Sequence, residues 1–166
     1  MASPYSLIPF AEEYLADLMG WINSEVECRQ WGAPEFRYPF DRHSFSTDSR
    51  WRELPSFAVL DAQGAPLAFG QFYRRLHCCH LGRLIVAPHA RGRGVGQQLI
   101  RKLAVQARDA LHLELCSLFV LKNNLAAKAL YEKMGFEVCS YPEEMEWLDM
   151  CHYMVAPMHK LLVMEK

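Results

Sequence analysis

The sequence predicts a mixed α/β fold: a mostly antiparallel central sheet flanked by about four helices. Three observations carry this. Short apolar runs rich in β-branched and aromatic residues recur from the middle of the chain to its end. In the second half they alternate with stretches whose apolar residues fall at helical spacing. Between "SFAVLD" and "PLAFGQFYRR" stands a turn-forming "AQGA", short enough to close a hairpin. The 166 residues are 51% apolar with a formal charge of -1. That composition suits one globular domain over 1–166, and nothing in the charge balance attracts nucleic acid or an anionic membrane.

The elements follow in order. From Phe10 to Asn23, the residues Tyr14, Leu15, Leu18, Met19 and Ile22 recur at helical spacing, and a second helix is expected from Asp41 to Trp51. "QWGAPEFRYPF" lies between them and reads as a structured loop with aromatic anchors. The hairpin comes next, then "HCCHLGRLIVAP", a strand whose end Pro88 fixes. Val95, Leu99, Ile100, Leu103, Ala104 and Ala107 then form one face of a helix of about four turns. "HLELCSLFVL" is a buried strand, "NLAAKALYEKM" a helix stopped by Gly135, and "FEVCSY" and "CHYMVAPM" two more strands.

No apolar stretch approaches the roughly 20 residues of a membrane span, and the first residues lack a secretory pattern, so a cytoplasmic protein is expected. The six cysteines show no C-x-x-C spacing and are expected to be free and mostly buried. "HCCH" offers four ligand types in a row. Strand alternation nevertheless sends Cys78 and His80 to one face and His77 and Cys79 to the other, so no metal is expected.

The informative segment is "ARGRGVGQQL". Glycines at 92, 94 and 96 stand at the mouth of a helix between Arg91, Arg93 and the helical run. Helix starts carry unpaired N–H groups and a partial positive charge, and glycines let them approach a ligand with no Cβ in the way. Such a site wants a phosphate. A Walker A loop fails for want of its lysine and following hydroxyl, and a dinucleotide fingerprint fails because position 97 is Gln97. What remains is R-x-x-G-x-G at Arg91, Gly94 and Gly96.

With "LGRLIVAP" before it and "NLAAKALYEKMGF" after it, this loop resembles the acetyl-CoA-binding core of the GNAT superfamily of N-acetyltransferases. The resemblance covers roughly Leu76 to Val138, and beyond that only element order. It implies a GNAT-like sheet and acetyl transfer from acetyl-CoA, a co-substrate, to an amine by direct attack in a ternary complex. The other reading is a non-catalytic acyl-CoA-binding or sensor module. By the same resemblance, amides of Arg91, Gly92, Arg93, Gly94, Val95 and Gly96 hold the pyrophosphate. The backbone of Leu84, Ile85 and Val86 pairs with the pantetheine arm, Asn124 and Ala127 match N-x-x-A, and Tyr131 stands near the thioester sulfur.

A phenol with an ordinary pKa of about 10 stays protonated at neutral pH, which makes Tyr131 the expected general acid. His80 occupies a place where relatives often carry a glutamate. Either it acts as base or holds a water, or it packs as an ordinary strand histidine. The aromatic loop either lines an acceptor pocket or caps the core. Trp31 and Phe36 are expected nearest the pocket, with Glu27, Glu35 or Asp41 drawing a cationic amine. The acceptor is expected to be a small-molecule or peptide amine, with neither nucleic acid nor membrane as partner. Exposed edges of a mixed sheet suit a homodimer.

Overall fold

A computed structural model of the protein describes residues 3–32 and 36–162. The chain forms two compact units, residues 1–71 with 83–99 and residues 72–82 with 100–166.

The first unit opens with β1 (Ser6–Pro9), antiparallel to β2 (Ser56–Leu60), with Ser6 opposite Leu60. β2 in turn pairs antiparallel with the first half of β3 (Pro66–Arg75). Their connection is fixed locally, because the Asp61 carboxylate accepts from the backbone N–H groups of Gln63 and Ala65. The last residues of β4 (Cys78–Val86) complete the unit's share of the sheet, and Ala87 donates to the Leu67 carbonyl at 2.7 Å.

Three helices precede β2: α1 (Leu15–Gly20), α2 (Glu25–Gly32) and α3 (Arg42–Ser49). The helix expected over Phe10–Asn23 is shorter than the pattern suggested. Glu12–Tyr14 is a 3-10 turn, and α1 closes when Trp21 donates back to the Leu18 carbonyl. Ser24 then starts a new helix: its hydroxyl accepts from the Glu27 N–H while the Glu27 carboxylate accepts from the Asn23 N–H. The start of the expected loop is therefore helical. Phe10, Leu15, Leu18, Phe45 and Phe69 are buried together in this unit's core, each contributing roughly 1.5–3 kcal/mol by burial.

In the second unit, β3 and β4 are joined by Leu76 and His77, both at positive φ (50° and 64°), the backbone that a tight two-residue hairpin turn requires. β4 pairs in parallel with β5 (Leu115–Leu121), at Cys79↔Cys116 and His80↔Ser117. A parallel pair needs a crossover, here α4 (Val95–Leu111). Its six expected core-facing residues are each at most 1% exposed. β5 pairs antiparallel with β7 (Cys151–Pro157), and β7 with β6 (Glu137–Cys139), so the order in this unit is β3-β4-β5-β7-β6.

α5 (Leu125–Met134) ends at Gly135, whose φ of 114° excludes most side chains and whose Cβ would meet Lys160 at 2.9 Å. α6 (Met158–Leu161) closes the described chain. The result is a mixed α/β fold of seven mostly antiparallel strands, with six α-helices among the described residues rather than about four. None of the described helices is long and apolar enough to cross a membrane.

Candidate active site

The glycine loop sits at the start of α4. Gly92 and Gly94 adopt φ of 77° and 79°, and a Cβ built on either would meet nothing within 4 Å. Two left-handed glycines and open space above them make a cradle for an anion approaching the backbone. The first intrahelical bond runs from Gln98 N–H to the Gly94 carbonyl at 3.2 Å, so the amides of Val95, Gly96 and Gln97 precede the helical ladder. Arg91 donates to the Val86 carbonyl at 3.1 Å and Arg93 to the His89 carbonyl, which holds both guanidinium groups against the loop's own backbone. Residues 91–94 are exposed and Val95 is buried. Unpaired amides beside two guanidinium groups at a helix start are the kind of arrangement that attracts an anion.

Just upstream, β4 is irregular at Arg83, whose φ of 48° is left-handed within the strand. Side chains hold it there. Its guanidinium donates to the Gln71 side-chain carbonyl at 3.1 Å and to the Ser49 carbonyl at 3.2 Å, and its own carbonyl accepts from the Trp31 indole at 2.7 Å. This bracing fixes the backbone entering Leu84, Ile85 and Val86.

In the second unit, Asn124 caps α5. Its side-chain oxygen accepts from the Ala127 N–H at 3.3 Å, which explains N-x-x-A as a helix-starting device. Tyr131 lies two turns on, half-buried, its ring 6.0 Å from that of Phe136. Burial pushes its phenol up to about 12, and among the described residues its hydroxyl makes no hydrogen bond. It is therefore a protonated donor at any physiological pH.

His80 is 2% exposed and its Nδ1 lies 2.8 Å from the Ser117 hydroxyl. Burial first, and then the positive charge of Arg75, push its pKa down to about 3, so the imidazole is neutral at pH 7. The other members of "HCCH" go elsewhere: His77 to Arg74, Cys78 to the Tyr153 hydroxyl, and Cys79 opposite Cys116 on the neighbouring strand. All six cysteines are free thiols, four of them buried.

Trp31 and Phe36 are 9% and 5% exposed. Trp31 stacks on Phe45 at 5.4 Å and meets Phe36 edge-on at 5.1 Å, inside the aromatic core. Of the acids expected to draw a cation, Glu27 and Asp41 are engaged as helix caps, and Glu35 lies outside the described residues.

The model of the acetyltransferase (GNAT) family matches residues 25–136. The chain belongs to the GNAT family. The curated relative named as the uncharacterized N-acetyltransferase YobR of Bacillus subtilis (strain 168) is 43% identical over 60 residues, which make up 36% of this chain and 24% of that protein. The chain thus spans about a quarter of that relative's length. Among solved structures, this GNAT chain is similar to spermidine N-acetyltransferase from Vibrio cholerae in complex with CoA and spermine. The TM-score is 0.73 at 20% identity, covering 98% of this chain and 100% of that one. A dodecameric structure of the V. cholerae enzyme gives 0.68 at 19% identity, with 97% and 98% covered.

Two features of this GNAT fold leave little trace in the sequence. One is Ser117, the partner of His80, one of several small residues in an apolar run with nothing to single it out. The other is a group of aromatic rings, Tyr73, Phe119 and Tyr141, around Arg75, with Trp147 edge-on to Phe119. The alternation of Tyr73 and Arg75 at the end of β3 was the available signal, since it puts both on one face of the strand.

Proposed function

We propose that this GNAT acetyltransferase moves the acetyl group of acetyl-CoA to the nitrogen of a small-molecule or peptide amine by direct attack in a ternary complex, residues 1–166 acting as one catalytic domain. The observation that carries the reading is the open, left-handed glycine pair at the start of α4, which suits the coenzyme's pyrophosphate. Leu84, Ile85 and Val86 offer the pantetheine arm a strand, and one of their amides stabilises the oxyanion. Asn124, its side-chain oxygen engaged as a cap, presents its NH2 to the pantetheine beside Ala127. As the amine attacks the thioester carbon, the C–S bond breaks and Tyr131 donates its proton to the departing sulfur.

The His80 environment favours the water-holding role over the base. A neutral imidazole whose conjugate acid has a pKa of about 3 takes a proton poorly, yet it can position a water that passes one to solvent. Trp31 and Phe36 act on the acceptor side through Arg83, whose carbonyl accepts from the Trp31 indole and whose guanidinium lies 5.8 Å from the Phe36 ring centre. A cytoplasmic setting agrees with six unpaired cysteines. Self-association is part of the proposal: β6 is an edge strand with Val138 half exposed, and the V. cholerae relative forms a dodecamer.

The test is calorimetric titration with acetyl-CoA of the native chain and of the Arg91→Glu, Gly94→Glu double variant. Saturable binding by the native chain, lost in the variant, is expected. A native chain that binds nothing would reduce the glycines to a turn and end the proposal. Binding without transfer to any amine would leave the sensor reading in its place.

A further inference from the structure

Arg75 ends β3 half-buried among aromatic faces. Its guanidinium carbon lies 5.1 Å from the Phe119 ring centre, 5.8 Å from Tyr141 and 6.0 Å from Tyr73. Trp147 stands edge-on to Phe119 at 4.6 Å. Among the described residues no carboxylate forms an ion pair with Arg75 and no acceptor takes its N–H groups. Glu143, Glu144 and Glu146, on the loop that carries Tyr141 and Trp147, are exposed and pair with no arginine there. A guanidinium held by its faces keeps its edge available, and that edge is a planar fork matched to a carboxylate. The surrounding rings offer a surface to an apolar body.

The cluster also touches the residue that the proposed transfer uses. His80 packs 5.2 Å from Tyr73 and 5.0 Å from Phe119, ring centre to ring centre. We infer that Arg75 and these rings anchor the acceptor, and that the acceptor is a free amino acid with an apolar side chain, its carboxylate on Arg75 and its amine left for acetylation. This rests on the acetyl-transfer reading above. A polyamine has no carboxylate for the fork, and its charge is repelled by Arg75.

The test compares acetylation of phenylalanine and leucine with that of their amides and of spermidine, by the full chain and its Arg75→Gln and Arg75→Lys variants. The amino acids are expected to be preferred over their amides. In Arg75→Gln that preference, as a ratio of kcat/KM values, is expected to fall by about 10- to 100-fold, the loss of a charge-assisted hydrogen bond. Arg75→Lys, which keeps the charge and loses the fork, falls between. Amides or spermidine used as well as the amino acids, with a ratio that Arg75→Gln does not change, overturn the anchor and leave acetyl transfer standing. If no amine is acetylated, calorimetric titration with phenylalanine decides. Binding lost in Arg75→Gln keeps the carboxylate site and removes the transfer reading, whereas no binding overturns the site.

Discussion

Tyr131 and His80 show how one fold treats two titratable groups by the same means, withdrawal from water, with opposite results. Burial disfavours a phenolate and so fixes Tyr131 as a donor; it disfavours an imidazolium and so fixes His80 as neutral. For Tyr131→Phe, kcat is expected to fall by about 100-fold or more while the acetyl-CoA dissociation constant is preserved, since general-acid help is worth that much. Steady-state kinetics beside calorimetry checks it, and unchanged kcat would remove Tyr131 from the chemistry. With the phenol near 12, the native pH profile should show no alkaline limb near 10 that the phenylalanine variant abolishes. Tyr131 was legible because it stands seven residues after Asn124 in a recognisable helix. The burial that sets its protonation was not, because it comes from tertiary packing and not from the spacing along the helix.

Among the elements, α5 joins two duties in one residue. Asn124 starts the helix through its side-chain oxygen, and in the proposed function it meets the coenzyme through its nitrogen. The two separate by substitution. Asn124→Asp keeps the capping oxygen and loses the donor, so its melting temperature should stay near native while acetyl-CoA binding weakens. Asn124→Ala loses both, with about 1 kcal/mol of stability. Thermal melts and calorimetry on the pair decide it, and equal coenzyme affinity in Asn124→Asp and native chain would confine Asn124 to capping. Element legibility followed pattern strength. The stripe on α4 is plain in the sequence residue by residue, and Gly135 ends α5 where the sequence places the stop. The four-residue β1, ending in proline, gave no alternation to see. α2 has no clean apolar stripe, yet Ser24 caps it by accepting from the Glu27 N–H, and the S-x-x-E spacing that announces such a start is in the sequence.

For the molecule as a whole, His80 ties stability to pH. In the unfolded chain its imidazole takes a proton near pH 6.5; in the fold it does so only near 3. Above 6.5 neither state is protonated and the stability is fully present. As pH falls from 6.5 toward 3 only the unfolded state takes the proton, and stability drops by up to about 1.4 kcal/mol per pH unit. Asp41 and Asp48, both lowered by their hydrogen bonds, lose their contribution only once the unfolded chain takes up carboxylate protons below about pH 5, so the interval from 6.5 to 5 isolates the histidine. Urea unfolding across that interval should show a steeper loss in the native chain than in His80→Gln, and parallel slopes would reject the account. Fold class was legible at this scale because hydrophobic periodicity and the loop motif pointed to the same architecture. Strand order was not, since nothing local in "FEVCSY" or "CHYMVAPM" says which of them lies against β5.

That order has a consequence for the chain while it is being made. β7 is translated after β5 and β6 yet lies between them, Ser117 opposite Val155 on one side and Val155 opposite Glu137 on the other. A nascent chain that has just cleared β6 therefore holds two strands with a gap where the third belongs. A message broken before Cys151 yields a protein missing an interior strand, with the facing edges of β5 and β6 open to any passing β-segment. β7, translated after both of its neighbours, is the strand that closes this part of the sheet.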